Sequence, residues 1–425
     1  MHFSNLITLS LYLLRPTTAT PSPLPNSSTT RYLSLPPYTS TPNLVILTDI
    51  SNEADDQESL TRLFLYSNQF SFRALIATTS TWLQNTTSPS SIHQVIDAYA
   101  TVVDNLNCHV PFSRRFPAAG YLHSITTSGV TSYGMSGARA EKLSNGTLSL
   151  LDIFGKLGSD EVVYISIWGG ANTLAQALLN LQSTNTTLLT SLLPKLRIYS
   201  ISNQDDAVPW LRTTYPALFW IVSLHAWKQY GLATWSGFSG DVGNYYNFDV
   251  GGPNTTLVSA AWIGEYVQIG RFGGVVYPDF EFVPEGDTVS FLGLVQNGLN
   301  VWERPEWGGW GGRYGLLGED SSVVGTYSDV ADQVVVGDGR VYVSNHATIW
   351  RWREGVQWDF AARMRWTLDE VGFGEEVHEP IVVVNGSDTL EPLFLNATFG
   401  ETIYLDAKKS WSPDDAELSF TWSQY

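Results

Sequence analysis

The first strongly patterned stretch is Asn43–Asp49, NLVILTD, where apolar residues occupy consecutive positions and then stop at an acid. Consecutive rather than alternating apolar residues predict a strand buried on both faces. DQESLTRLFLYSN follows, with Leu60, Leu63 and Phe64 at the spacing of one helix face. FRALIATTST predicts the next strand and SSIHQVIDAYATVVDNL the next amphipathic helix. The alternation continues through EVVYISIWGG, ANTLAQALLNL and KLRIYSIS. Strand and helix in turn, with short connections, predict an α/β fold on an open, mainly parallel sheet. Right-handed crossovers then place helices on both faces. Such sheets bind ligands beyond the carboxyl ends of their strands. Here those ends are polar: Asp49; Thr79, Ser80 and Thr81; Asn172 after WGGA; and Asn203, Gln204, Asp205 and Asp206. Four polar loops on one rim predict a site.

Further along the pattern changes twice. Residues 302–366 hold seven of the sixteen tryptophans, in VWERPEWGGWGGRYG and in ATIWRWREGVQWDFAARMRWTL, which reads as helical. Tryptophans so concentrated serve either a core or a sugar-stacking platform, and the core is the commoner use. After Gly374 β-branched and polar residues alternate between turn signals, the pattern of an antiparallel β-sandwich. A complete immunoglobulin-like sandwich takes about 100 residues, so residues 375–425 are expected to form a partial one.

Composition narrows the function classes. A formal net charge of −18 disfavours nucleic acid and anionic membrane surfaces, which need clustered Lys and Arg. It suits cations and neutral ligands. Residues 1–20 read as a secretory signal peptide with a Leu6–Leu14 apolar region, and 21–42 as a Pro/Ser/Thr-rich linker. Seven N-x-S/T sequons, at Asn26, Asn85, Asn145, Asn185, Asn254, Asn385 and Asn396, agree with a secreted glycoprotein. Cys108 is the single cysteine, which excludes an intrachain disulfide and a multi-cysteine metal site. The histidines lack ligand spacing and read as core or surface residues.

The candidate chemistry lies in VILTDISNEADDQESL, which crowds Asp49, Glu53, Asp55, Asp56 and Glu58 where a buried strand ends. Hard cations such as Ca²⁺ take oxygen ligands, and this loop supplies them. Acidic residues also suit the first turn of a helix, where the macrodipole favours them. Spacing alone leaves both readings open. Far downstream, Asp287 in EGDTVSFLGLVQNGL enters a helical run, as a helix cap or as a further ligand.

Taken together, TDISNEADDQESL, WGGANTLAQAL, SISNQDDAVPW, EGDTVSFLGLVQNGL and WGGWGGRYG resemble a secreted cellulose-binding-protein family. That family carries an N-terminal nucleoside-hydrolase-like domain followed by an immunoglobulin-like sandwich. The similarity runs from about residue 43 to the C-terminus, with a domain boundary expected near residue 374. It implies a Ca²⁺ site built from Asp49, Asp55, Asp56, Asp287 and the carbonyl of Asn172. It implies Asp49 or Glu53 as the proton acceptor in hydrolysis of an N-glycosidic or related glycosyl bond. Asn203, Asp205, Asp206 and Asn172 would then hold a nucleoside or glycoside. Two positions depart from the hydrolase pattern. The second acid of the Asp-x-Asp-x-x-x-Asp-Asp signature falls on Ser51, and the histidine before the late metal Asp falls on Gly286. The alternative is therefore a non-catalytic module that binds cellulose or another wall glycan on the same scaffold.

Overall fold

A computed structural model describes residues 7–13, 27–224, 230–238, 252–299, 303–317, 325–335 and 338–424. The strands in chain order are β1 Ile7–Leu13, β2 Asn43–Thr48, β3 Ser71–Ala77, β4 Thr126–Ser128, β5 Val163–Ile167 and β6 Leu196–Ser200. They continue with β7 Phe219–Val222, β8 Tyr314–Leu316, β9 Thr326–Asp329, β10 Asp332–Val335, β11 Val341–Ser344 and β12 Leu418–Gln424. Eight of them form one sheet in the order β4-β3-β2-β5-β6-β7-β9-β8. Every pairing in it is parallel except β8 with β9. The chain steps from β2 outward to β3 and β4, then returns to the other side of β2 with β5. The crevice between diverging connections therefore opens at the carboxyl ends of β2 and β5.

Burial on both faces explains the continuous apolar run of β2. Leu44 and Ile46 pack into one cluster with Leu60, Leu63, Phe64 and Phe72. Val45 and Leu47 pack into the other with Leu150, Leu174 and Ile198. Each such side chain contributes roughly 1.5–3 kcal/mol on leaving water. The helix Asp55–Leu65 begins directly after the acidic loop, with Asp55, Asp56 and Glu58 in its first turn and Arg62 in its last. It stops at Tyr66, where φ changes to −112° and a short 3₁₀ turn follows.

One expectation changes in detail, and two others take a definite form in space. The run after Asp287 makes only one helical turn, Val289–Leu292, whose cap position is Thr288. Asp287 is not its cap; its main-chain carbonyl instead accepts the Ser290 hydroxyl at 2.6 Å. The tryptophan-rich region supplies core: Trp366 is 1% and Trp350 6% exposed, although Trp358 reaches 38%. The histidines, scattered in sequence, meet in space. His93 and His123 stack on the surface at 2.8 Å between Nδ1 atoms.

Residues 375–417 make two isolated bridges, Ile381 with Trp411 and Val384 with Ser387, and no ladder among the described residues. Phe394, Phe399 and Tyr404 stay largely exposed there. β12 pairs antiparallel with β1, Ile7 opposite Gln424 through Leu13 opposite Leu418. A buried relay ties this segment to the main body. Asp414 accepts the His378 Nδ1 proton at 2.7 Å, and His378 Nε2 lies 3.1 Å from His109 Nδ1. His109 Nε2 faces the Val371 carbonyl at 3.3 Å. Burial and the neighbouring His378 push the His109 pKa down to about 3. His109 is thus neutral.

Candidate functional site

The acids gather at the predicted rim. β2 delivers Asp49, 3% exposed, and the following turn swings the chain into the Asp55–Leu65 helix. The Ile50 N–H donates to Thr48 Oγ1 at 3.0 Å, and the Thr48 hydroxyl is also bonded to Asp56 Oδ1. That clasp folds the helix start back onto the strand end. Asp55, Asp56 and Asp287 then present carboxylate oxygens within 4.8 Å of one another. Asp56 and Asp287 are buried, and Asp287 Oδ2 has no hydrogen-bond partner.

Among the described residues no basic side chain compensates the cluster. Burial pushes Asp49 up to about 7 and Asp55 up to about 8, with Glu53 adding to both. Asp56 and Asp287 are raised well above the carboxylate range by burial and then by the surrounding acids. A hydrogen bond from Ser80 opposes the rise at Asp49. No Lys or Arg figures among the causes of any of these shifts. Buried carboxylates without a basic partner either hold protons or hold a cation. An all-oxygen donor set with a partnerless buried oxygen fits a hard cation.

Close backbone approach depends on two glycines. A Cβ on Gly169 would lie 2.7 Å from Asp49 Oδ1, and one on Gly286 would lie 2.5 Å from Asp55 Oδ2. The Gly286 position, where the hydrolase pattern carries histidine, is thus filled by the Asp55 carboxylate.

The other expected residues divide by role. Glu53 is half-buried, its pKa raised by burial and by Glu281. Ser51 is exposed, has φ +88°, and meets Ser91 Oγ at 2.5 Å. The Asn172 side chain is committed to Thr79 Oγ1 and the Ser132 carbonyl, both at 2.8 Å. Asp205 accepts the N–H groups of Ala207 at 3.0 Å, Val208 at 3.3 Å and Asn172 at 3.0 Å, so it binds two rim loops together. Burial raises its pKa to about 6 against those donors. Asp206 is exposed and accepts the Met135 N–H at 2.7 Å. Asn203 is half-buried, and its Oδ1 is without a partner.

Two aromatic residues without a sequence signal join the rim. Trp82 is 55% exposed at the end of the β3 loop, its N–H donating to Ser80 Oγ at 3.1 Å. Trp82 hydrogen-bonds Tyr230, whose pKa is pushed up to about 12 by burial and by Glu53, Asp49 and Asp55. Tyr230 thus lies within electrostatic reach of the carboxylates. Trp82 closes the TTSTW run, and Tyr230 lies about 150 residues further along, so no local signal joins them.

A solved structure similar to this chain is a nucleoside hydrolase-related hypothetical protein from Saccharophagus degradans that is associated with carbohydrate metabolism. It is 28% identical, with a TM-score of 0.71, over 88% of this chain and 84% of that one. The effector protein XOO4466 is 10% identical over 80% of this chain and 98% of its own, at a TM-score of 0.36. An inosine-guanosine nucleoside hydrolase is 13% identical over 78% and 100%, at 0.31. The last two superpose too poorly to place residues. No curated protein matches the chain. The model of the family described as cellulose-binding Sde182, nucleoside hydrolase-like domain, matches residues 43–314, which span every acid of the site. The eight-stranded sheet with its acidic rim is therefore the nucleoside hydrolase-like domain of that family, to which this chain belongs.

Proposed function

We propose that the chain is a secreted, calcium-dependent hydrolase of an N-glycosidic or related glycosyl bond in a small nucleoside or glycoside. The observation that carries this reading is the trio Asp55, Asp56 and Asp287, two of them buried, which has no basic partner among the described residues and includes a partnerless buried oxygen. These three carboxylates would hold the cation, with Asp49 beside them. Bound there, calcium would supply a Lewis acid for water and sugar oxygens. Asp49 would accept a proton, and Glu53, nearer the surface, is the second candidate for that task. Asn203 Oδ1 offers an acceptor to a sugar hydroxyl. Trp82 and Tyr230 offer an apolar face for a sugar or base to stack upon. Asp205 and Asp206 organise the rim through backbone hydrogen bonds.

A second reading is supported by Ser51, which turns to Ser91 where the hydrolase signature has an acid. The same site would then hold cellulose or another wall glycan without cutting it. The proposed organisation is a signal peptide over 1–20, a linker over 21–42, the hydrolase-like body over 43–374 and a partial immunoglobulin-like sandwich over 375–425. The six sequon asparagines among the described residues are all exposed, as glycan attachment requires. Removal of the signal peptide would also remove β1 and leave the edge of β12 open.

The test is calcium titration calorimetry on the mature protein beside an Asp55→Ala, Asp56→Ala variant, followed by a screen of nucleosides and glycosides. Binding lost in the variant, with release of base or sugar by the parent, supports the hydrolase. Calcium binding with glycan retention and no turnover supports the second reading. An absence of calcium binding by the parent sinks the cation site.

A further inference from the structure

The loop that carries Asp287 is held from both sides. Glu285, two residues earlier, has φ +57°, a left-handed conformation that is strained for a non-glycine residue. Such strain persists only where the surroundings over-determine it. Here the Glu285 N–H donates to Glu58 Oε2 at 2.7 Å. Its Oε1 accepts the Tyr277 hydroxyl at 2.7 Å and Arg62 Nη2 at 2.9 Å. Its Oε2 accepts the Thr288 hydroxyl at 2.8 Å and is bonded to Arg62 Nε. Beyond Asp287, Ser290 grips the Asp287 carbonyl at 2.6 Å and receives Trp168 Nε1 at 2.8 Å.

Arg62 is fully buried and itself fixed. Its Nη2 donates to Gln357 Oε1 at 2.6 Å, and its guanidinium lies 3.5 Å over the Phe360 ring. It sits on the helix that begins with Asp55 and Asp56, about 10 Å further along at 1.5 Å per residue. One forked ion pair therefore bolts the helix carrying two carboxylates to the loop carrying the third. Whenever these carboxylates are ionised to receive a cation, they repel one another. A bolt that resists this keeps the ligands preorganised, which is where affinity is gained.

We propose that Arg62 is a positioning residue for the cation: through Glu285 it holds Asp287 against Asp55 and Asp56, and so sets the affinity of the site. This rests on reading the trio as a cation site. A purely structural ion pair would contribute to stability without bearing on the cation.

The experiment uses the mature full chain, calcium alone as the probe, and two readouts: calorimetric titration and thermal melting in chelator. Arg62→Met with Glu285→Gln removes both charges, so neither is left buried and unpaired. The expected result is a calcium Kd raised at least about tenfold, with the chelator melting temperature within a few degrees of the parent. Arg62→Lys keeps the charge but loses the fork, and its expected Kd lies between parent and double variant. A folded double variant with the parental Kd overturns the proposal. Should the double variant not fold, Arg62→Lys decides, and a parental Kd in that folded protein overturns it equally. If the parent binds no calcium, the cation reading fails and the positioning role falls with it. Parental binding with unchanged variants refutes the positioning role alone.

Discussion

The calcium-free protein should be stabilised by replacing Asp49 with asparagine. Asp49 is 3% exposed, and burial moves its pKa from 3.8 to about 7. At about 1.4 kcal/mol per pH unit, that displacement corresponds to roughly 4 kcal/mol. The sign follows from proton counts. Between pH 4 and 7 the folded carboxyl keeps its proton while the unfolded one releases it, so stability falls as pH rises through that window. Below pH 4 both states are protonated and nothing is lost; above about 7 the loss is complete. Asparagine has the shape of the carboxyl and no charge, and its carbonyl can still accept the Ser80 hydrogen bond. Asp49→Asn should therefore melt higher than the parent in chelator at pH 7.5, by several degrees at about 2 °C per kcal/mol, and match it near pH 4. Calcium should shrink or reverse the difference, because a nearby cation favours the charged carboxylate. The assay is paired melting at pH 4 and 7.5, in chelator and in calcium. Comparison with the variant cancels titrating groups that do not feel Asp49, including His109 and His346, which burial holds down at about 3 and about 4. An Asp49→Asn protein no more stable than the parent in chelator at pH 7.5 would refute the claim that this carboxylate is buried without compensation.

Other consequences are as specific. Gly286→Ala places a Cβ 2.5 Å from Asp55 Oδ2, so Asp55 must shift and calcium affinity should fall about tenfold or more by titration. Ser51→Asp should leave hydrolysis within about twofold of the parent, because the side chain points to Ser91 rather than to the acids; a large gain in kcat/KM would contradict that placement. Asp414→Ala strips the buried His378 of its carboxylate, which should speed limited proteolysis between residues 379 and 413 while the hydrolase-like body stays resistant.

Much of this molecule is legible along the chain. Consecutive apolar residues at 44–47 mean a strand covered on both faces, and Leu60, Leu63 and Phe64 mean a helix packed on it, because local periodicity reports burial directly. The same local logic places the acids at a strand end and the polar loops on one rim, since parallel strands all end on the same side. The donor types, all oxygen, are likewise written in the residues. Which side chains converge is another matter. Asp287 joins Asp55 and Asp56 from a loop at 285–288 that is clamped to their helix through Arg62 and Glu58. Asp205 looks like a substrate ligand in sequence, yet its oxygens are taken by backbone N–H groups of two loops. Ser51 and Glu53 are two residues apart, and a positive φ at Ser51 turns it toward Ser91. Trp82 and Tyr230 meet across distant segments. Partners so far apart in sequence carry no local signal, so their meeting depends on strand order and loop packing. Residue type and periodicity thus set the fold class and the chemistry available, while the tertiary structure decided which of those groups share a site.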